Sequence, residues 1–175
     1  MSDLYDQVSG DQDPLTKLVG KIPGFSGYIE RETRRSADKI LRDYMADQYT
    51  QIRIRIGSLQ QDLTNNGDLE YVDDLETASI KLMTFINKVG GASYGNSGFF
   101  DAIKVNEEEL AKIYEYDLSL LDRADEIARA VDNVETSIGE EGLPAAIRHL
   151  VTLTRELVSA FEGRTQVIID QVANE

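Results

Sequence analysis

Apolar positions recur every three or four residues over four long stretches of this chain, the period of a helix that buries one face. The clearest stretch is 106–138. Leu110, Ile113, Asp117, Leu120, Ala124, Ile127, Val131, Val134 and Ile138 form a coiled-coil-like stripe with one polar member. Asn106 and Glu109 supply a capping-box variant at its start, and Gly139 ends it. A second stretch, 144–173, opens on Pro144 and carries Ile147, Leu150, Thr154, Leu157, Phe161, Arg164, Ile168 and Gln171. A third, 68–90, takes Asp68 as N-cap and aligns Val72, Leu75, Ser79, Leu82, Ile86 and Val89, with Ala78 and Phe85 widening the face.

The fourth, 28–64, runs through Ala37, Leu41, Tyr44, Gln48, Ile52, Ile56, Leu59 and Leu63. Inside it, Gln51–Ile56 alternates like a strand. No second stretch of that character is visible to pair with it, so it reads as helix with Ile54 off the stripe. A short amphipathic piece, 13–22, places Leu15, Leu18, Val19 and Ile22 ahead of the Pro23-Gly24 break. Tight links at Asn65-Asn66-Gly67 and around 139–142 join the long helices in pairs, and a Gly- and aromatic-rich loop spans 91–105. These elements predict an all-α protein. It is an elongated antiparallel up-down-up-down four-helix bundle with a short N-terminal amphipathic helix, roughly 50 Å tall for a 33-residue helix. The acidic residues 1–12 are expected to be a loose tail on a single domain spanning 13–175.

Composition narrows the chemistry. The chain has 175 residues, no Cys, no Trp and a single His. Disulfides, thiolate metal sites and cysteine nucleophiles are therefore excluded. Asp and Glu total 32 against 18 Lys and Arg, a net charge of −14. A nucleic-acid partner is not expected, because phosphate neutralisation needs a cationic face. The acidic, polar start lacks the character of a signal segment and no run of about 18 apolar residues occurs, so a cytoplasmic location is expected.

His149 lacks the Glu-x-x-His setting of a di-iron bundle, so no metal is expected. No Ser-His-Asp set assembles and no carboxylate pair is visibly desolvated. The chain is therefore read as non-enzymatic, with no catalytic residues and no cofactor. The glycines of the 91–105 loop lack the Lys of a phosphate-binding loop, and the loop reads as a crossover plugged by Phe99 and Phe100. Its length still makes Tyr94, Asn96, Phe99 and Phe100 a candidate interaction loop.

Asp117 and Arg164 occupy apolar stripe positions equally far from the centre of their linker, between Glu140 and Glu141. An antiparallel hairpin sets them at one height, so a buried, register-setting ion pair is expected. Charge is also uneven along the chain. Segments 62–76 and 130–147, which meet at the hairpin-turn end, hold ten acidic residues and no Lys or Arg. The other end receives Lys17, Lys21, Arg31, Arg34, Arg35, Lys39 and Arg42.

The functional expectation is an adaptor or scaffold that binds a protein partner, including a second copy of itself. A first alternative is peripheral membrane association through 14–42, with Leu18, Ile22, Phe25, Tyr28, Arg31, Arg34 and Arg35 as contacts. Docking of Leu18, Ile22 and Phe25 on the bundle is the competing use of that segment. A second alternative is a ligand-binding or enzymatic bundle with a polar pocket formed by Tyr44, Asp117, Arg164 and the 91–105 loop.

Overall fold

A computed structural model describes the backbone of residues 14–24, 34–95 and 107–173. Within these ranges it describes the side chains of 17–24, 39–91 and 114–163. The acidic tail, 1–12, lies outside the described residues. Among the described residues five helices follow one another: α1 (Pro14–Lys21), α2 (Arg34–Asn66), α3 (Val72–Gly95), α4 (Glu107–Ser137) and α5 (Leu143–Ala173), with one 3₁₀ turn at Leu69–Tyr71. No strand occurs among the described residues. The alternating piece at 51–56 is helical. Ile52 and Ile56 enter the core while Ile54 is 57% exposed, because a helix sends every second residue to different faces.

Glycines end the helices where the chain must reverse. Gly67 adopts φ 87°, with bonds from its amide to the Thr64 carbonyl (3.2 Å) and from the Asp68 amide to the Leu63 carbonyl (2.9 Å). This is a Schellman termination, which suits a residue without Cβ. Gly139, at φ 83°, closes α4 in the same backbone region. Asp68, expected to cap α3, precedes the 3₁₀ turn instead and its side chain makes no capping bond. The helix expected to stop at 90 runs on to Gly95. The Gly90-Gly91 pair costs roughly 1 kcal/mol per residue relative to Ala, which is too little to end a helix already propagating.

The helices form two antiparallel hairpins, α2/α3 and α4/α5. The first is registered by Tyr49 against Phe85 and by the Gln60 amide on Glu76 (3.0 Å). In the second, Arg123 faces Glu156 (3.6 Å), and a Cβ at Gly163 would lie 3.8 Å from the Tyr116 ring. The hairpins stand in the same direction, so α2 packs beside α4 and α3 beside α5 as parallel neighbours. Tyr49 reaches Leu120 and Arg55 reaches Asp132, both pairs ascending together. Likewise Phe85 meets Phe161 and Lys88 meets Glu162. Around the bundle the order is α2, α3, α5, α4, and both hairpin turns sit at one end.

A cluster of three rings marks the centre. Tyr49 and Phe85 meet edge-on at 4.5 Å, and Phe85 and Phe161 at 5.5 Å. The Tyr49 hydroxyl donates to the Leu120 carbonyl at 2.5 Å, so this one cluster links all four long helices. Stripe positions from each of those helices, among them Leu63, Leu75, Leu82, Ile127 and Leu150, are buried in the same core. The first half of the α2 stripe departs from expectation. Met45 and Tyr49 enter the core, while Tyr44 and Gln48 are half-buried on its flank. The flank faces α1 and α4, and periodicity alone does not distinguish a core seam from one beside it.

Candidate functional site

Helix α1 lies along α4. Leu18 is wholly buried and Ile22 nearly so, one helical turn apart, which is how an amphipathic helix spends its apolar face. Between them Lys21 reaches Asp122 at 2.6 Å and Asp125 at 3.2 Å, two carboxylates on one face of α4. The Asp122 carboxylate, with Asp125 behind it, raises the Lys21 pKa above its ordinary value, against the opposing effect of partial burial. The Tyr44 hydroxyl of α2 donates to the Lys21 carbonyl at 3.3 Å and so caps the end of α1. Beside Lys21 opens a cleft of about 180 Å³ lined also by Tyr44, Gln48, Leu121, Ala124 and Asp125.

This arrangement corrects one use assigned to these residues. Leu18 and Ile22 belong to the core and are not presented to a membrane or partner while α1 is docked. The structure realises the competing expectation, docking on the bundle, for these two. Phe25, Tyr28 and Arg31 lie outside the described residues, as do the side chains of Arg34 and Arg35. Of the polar pocket expected around Tyr44, Asp117, Arg164 and the 91–105 loop, the Arg164 side chain and residues 96–105 lie outside the described residues, so that pocket stands as an expectation. Tyr44 lines the cleft, and Asp117 does not.

Asp117 is fully buried in α4. The Arg164 side chain lies outside the described residues, so its pairing with Asp117 stands as an expectation. The register is close to the expected one. Arg123/Glu156, Tyr116/Gly163 and the nearest approach of Gly142 to Ser137 all mirror about a point between Gly139 and Glu140, one residue before the expected centre. Of the candidate interaction loop, Tyr94 falls within α3 rather than in a loop. Asn96, Phe99 and Phe100 lie outside the described residues.

The turn end is acidic. Asp62, Glu70, Asp73, Asp74, Glu76, Asp132, Glu135, Glu140 and Glu141 are exposed and Asp68 is half-exposed. Arg55 approaches from below, bridging Asp132 and Glu135 across the α2/α4 seam. At the opposite end Arg42 is buried rather than displayed, and Lys39 pairs with Asp43 at 2.7 Å. Among the described residues no His, Asp and Glu group has the geometry to hold a metal ion, and His149 is exposed. No helix among them is long and apolar enough to cross a membrane.

One surface carries features that periodicity marked only in part. Among the described residues the exposed large apolar side chains are Ile54 on α2, Leu69 in the 3₁₀ turn (62% exposed), and Ile80 and Met83 on α3 (46% and 40%). All belong to the first hairpin. The register set by Tyr49/Phe85 and Gln60/Glu76 puts Ile54 level with Ile80, and Met83 follows one turn along α3. Ile54 was visible in the sequence as an off-stripe residue. Ile80 and Met83 were masked by the width of the α3 apolar face.

No known protein-family model, no curated protein and no solved structure matches this chain.

Proposed function

We propose that the protein is a non-enzymatic helical-bundle adaptor or scaffold that acts through protein–protein contacts, with the outer face of the α2/α3 hairpin as its contact surface. The observation that carries this reading is that, among the described residues, the exposed large apolar side chains Ile54, Leu69, Ile80 and Met83 all lie on that hairpin. Scattered surface hydrophobes are ordinary, but several gathered on one hairpin of a folded domain are a feature of surfaces that are covered in use. The acidic turn end adds a second property. Carboxylates gathered at one pole steer a basic partner and repel an acidic one, an effect that shortens to about 8 Å at physiological salt.

The test compares full-length protein with an Ile54→Lys/Ile80→Lys/Met83→Lys variant as bait in extract of the source cells, with mass measured by light scattering. These side chains are solvated, so the variant keeps the wild-type melting curve. A protein, or a second copy, held by wild type and lost by the variant is the expected result. An identical set of retained proteins and an identical mass for both baits overturn the proposal.

A further inference from the structure

The docking of α1 shows, within one chain, what the adjoining surface of α4 accepts. We infer that this surface is a receptor groove for a short basic amphipathic helix of a partner protein, and that α1 is its resident occupant. The recognition elements are explicit. Two aliphatic side chains one turn apart, Leu18 and Ile22, are buried, and a Lys between them lands on Asp122 and Asp125. An apolar strip with an acidic rim selects that pattern and rejects an acidic helix, because a like charge against Asp122 and Asp125 is repelled.

Two further observations make α1 a replaceable occupant. It is eight residues long, its buried apolar anchors among the described side chains are Leu18 and the Ile22 that follows it, and Lys21 and its two carboxylates remain partly solvated. Exposed ion pairs of this kind hold weakly and are screened by salt. Its advantage is the tether to α2, which supplies an effective concentration on the order of millimolar. A cleft also opens beside α1. The cleft beside Lys21, lined by Tyr44, Gln48, Leu121, Ala124 and Asp125, stays open. A partner helix longer than α1 covers it and gains contacts that α1 does not make. α1 then acts as an autoinhibitory plug, and the partner must beat the tether.

This groove is distinct from the outer face of the first hairpin, and it is tested on purified protein alone. The probe is a fluorescein-labelled synthetic peptide of residues 13–24, titrated with full-length chains at low salt and read by anisotropy. Wild type is expected to bind weakly because α1 competes. A Leu18→Glu/Ile22→Glu chain, its groove vacated, should bind about tenfold more tightly or better. Adding Asp122→Lys/Asp125→Lys should remove the gain. A Lys21→Glu chain, which changes a partly solvated side chain and leaves the core intact, should gain several-fold and serves where the double core variant loses its helical signal. No gain in either released chain overturns the inference, as does a gain that survives charge reversal at Asp122 and Asp125. A wild-type dimer that the peptide dissociates would reassign the groove to a second copy. Flotation of the Asp122→Lys/Asp125→Lys chain with phosphatidylserine vesicles, without peptide capture by the released chains, would reassign α1 to a lipid surface. Unchanged retention in the extract experiment overturns the outer-face reading and leaves the peptide result standing.

Discussion

Tyr49→Phe is a change whose consequence reverses with pH. The Tyr49 ring is fully buried between Phe85 and the α4 backbone, and its hydroxyl donates to the Leu120 carbonyl. That carbonyl lies inside α4 and keeps its helical partner when the hydroxyl is removed, so no buried acceptor is orphaned. The loss near neutral pH is therefore that of one net hydrogen bond, about 1 kcal/mol. Burial pushes the Tyr49 pKa well above the ordinary value of 10.0, because a phenolate has no solvation in the core. The unfolded chain ionises this tyrosine near pH 10 while the folded chain holds it neutral. Its contribution is therefore complete below pH 10 and falls as pH rises above it. Between about pH 9 and pH 11 the wild type should lose about 1.4 kcal/mol through this group, a loss that the phenylalanine variant does not suffer. The variant is then the less stable protein at about pH 8 and equals or exceeds wild type at about pH 11. The other tyrosines are common to both chains and cancel. Urea unfolding followed by far-ultraviolet circular dichroism at each pH measures the difference, as the chain has no Trp. A deficit that is the same at both ends of the alkaline range, or no deficit near neutrality, refutes the reasoning.

Other outcomes follow from named contacts. Phe85→Ala removes the ring that joins Tyr49 to Phe161 and should cost roughly 3–5 kcal/mol in the same urea experiment. Two glycines with nothing within 4 Å of an added Cβ should move in opposite directions. Gly67→Ala, forced into positive φ, loses roughly 1–2 kcal/mol, whereas Gly57→Ala, exposed within α2, gains about 1 kcal/mol. Arg164→Leu should lower stability by roughly 3–5 kcal/mol if Asp117 keeps its charge in the core. The Asp117→Leu/Arg164→Leu double variant should recover most of that loss, and equal losses in both would refute the pairing.

Much of this architecture was written in local pattern. The spacing of Leu120, Ala124, Ile127, Val131 and Val134 put one face of α4 inward, and the structure buries all five. Gly67 and Gly139 announced the two reversals, since only a residue without Cβ takes positive φ at small cost. The alternation at 51–56 was overruled by the helical spacing around it, and Ile54 emerged outward as that spacing requires. Asp117 stood out as a polar residue on an apolar stripe and is fully buried.

What only the tertiary structure decided is which faces meet. Periodicity tells a helix where its apolar side lies, but the same stripe serves any neighbour. The parallel pairing of α2 with α4 and of α3 with α5, the entry of Met45 and Tyr49 in place of Tyr44 and Gln48, and the seat of Lys21 on Asp122 and Asp125 all join residues far apart in the chain. The same holds for the outer face of the first hairpin. Ile54 and Ile80 become level only when Gly67 folds α3 back along α2, because burial and adjacency are properties of packed surfaces and are not carried by any single segment.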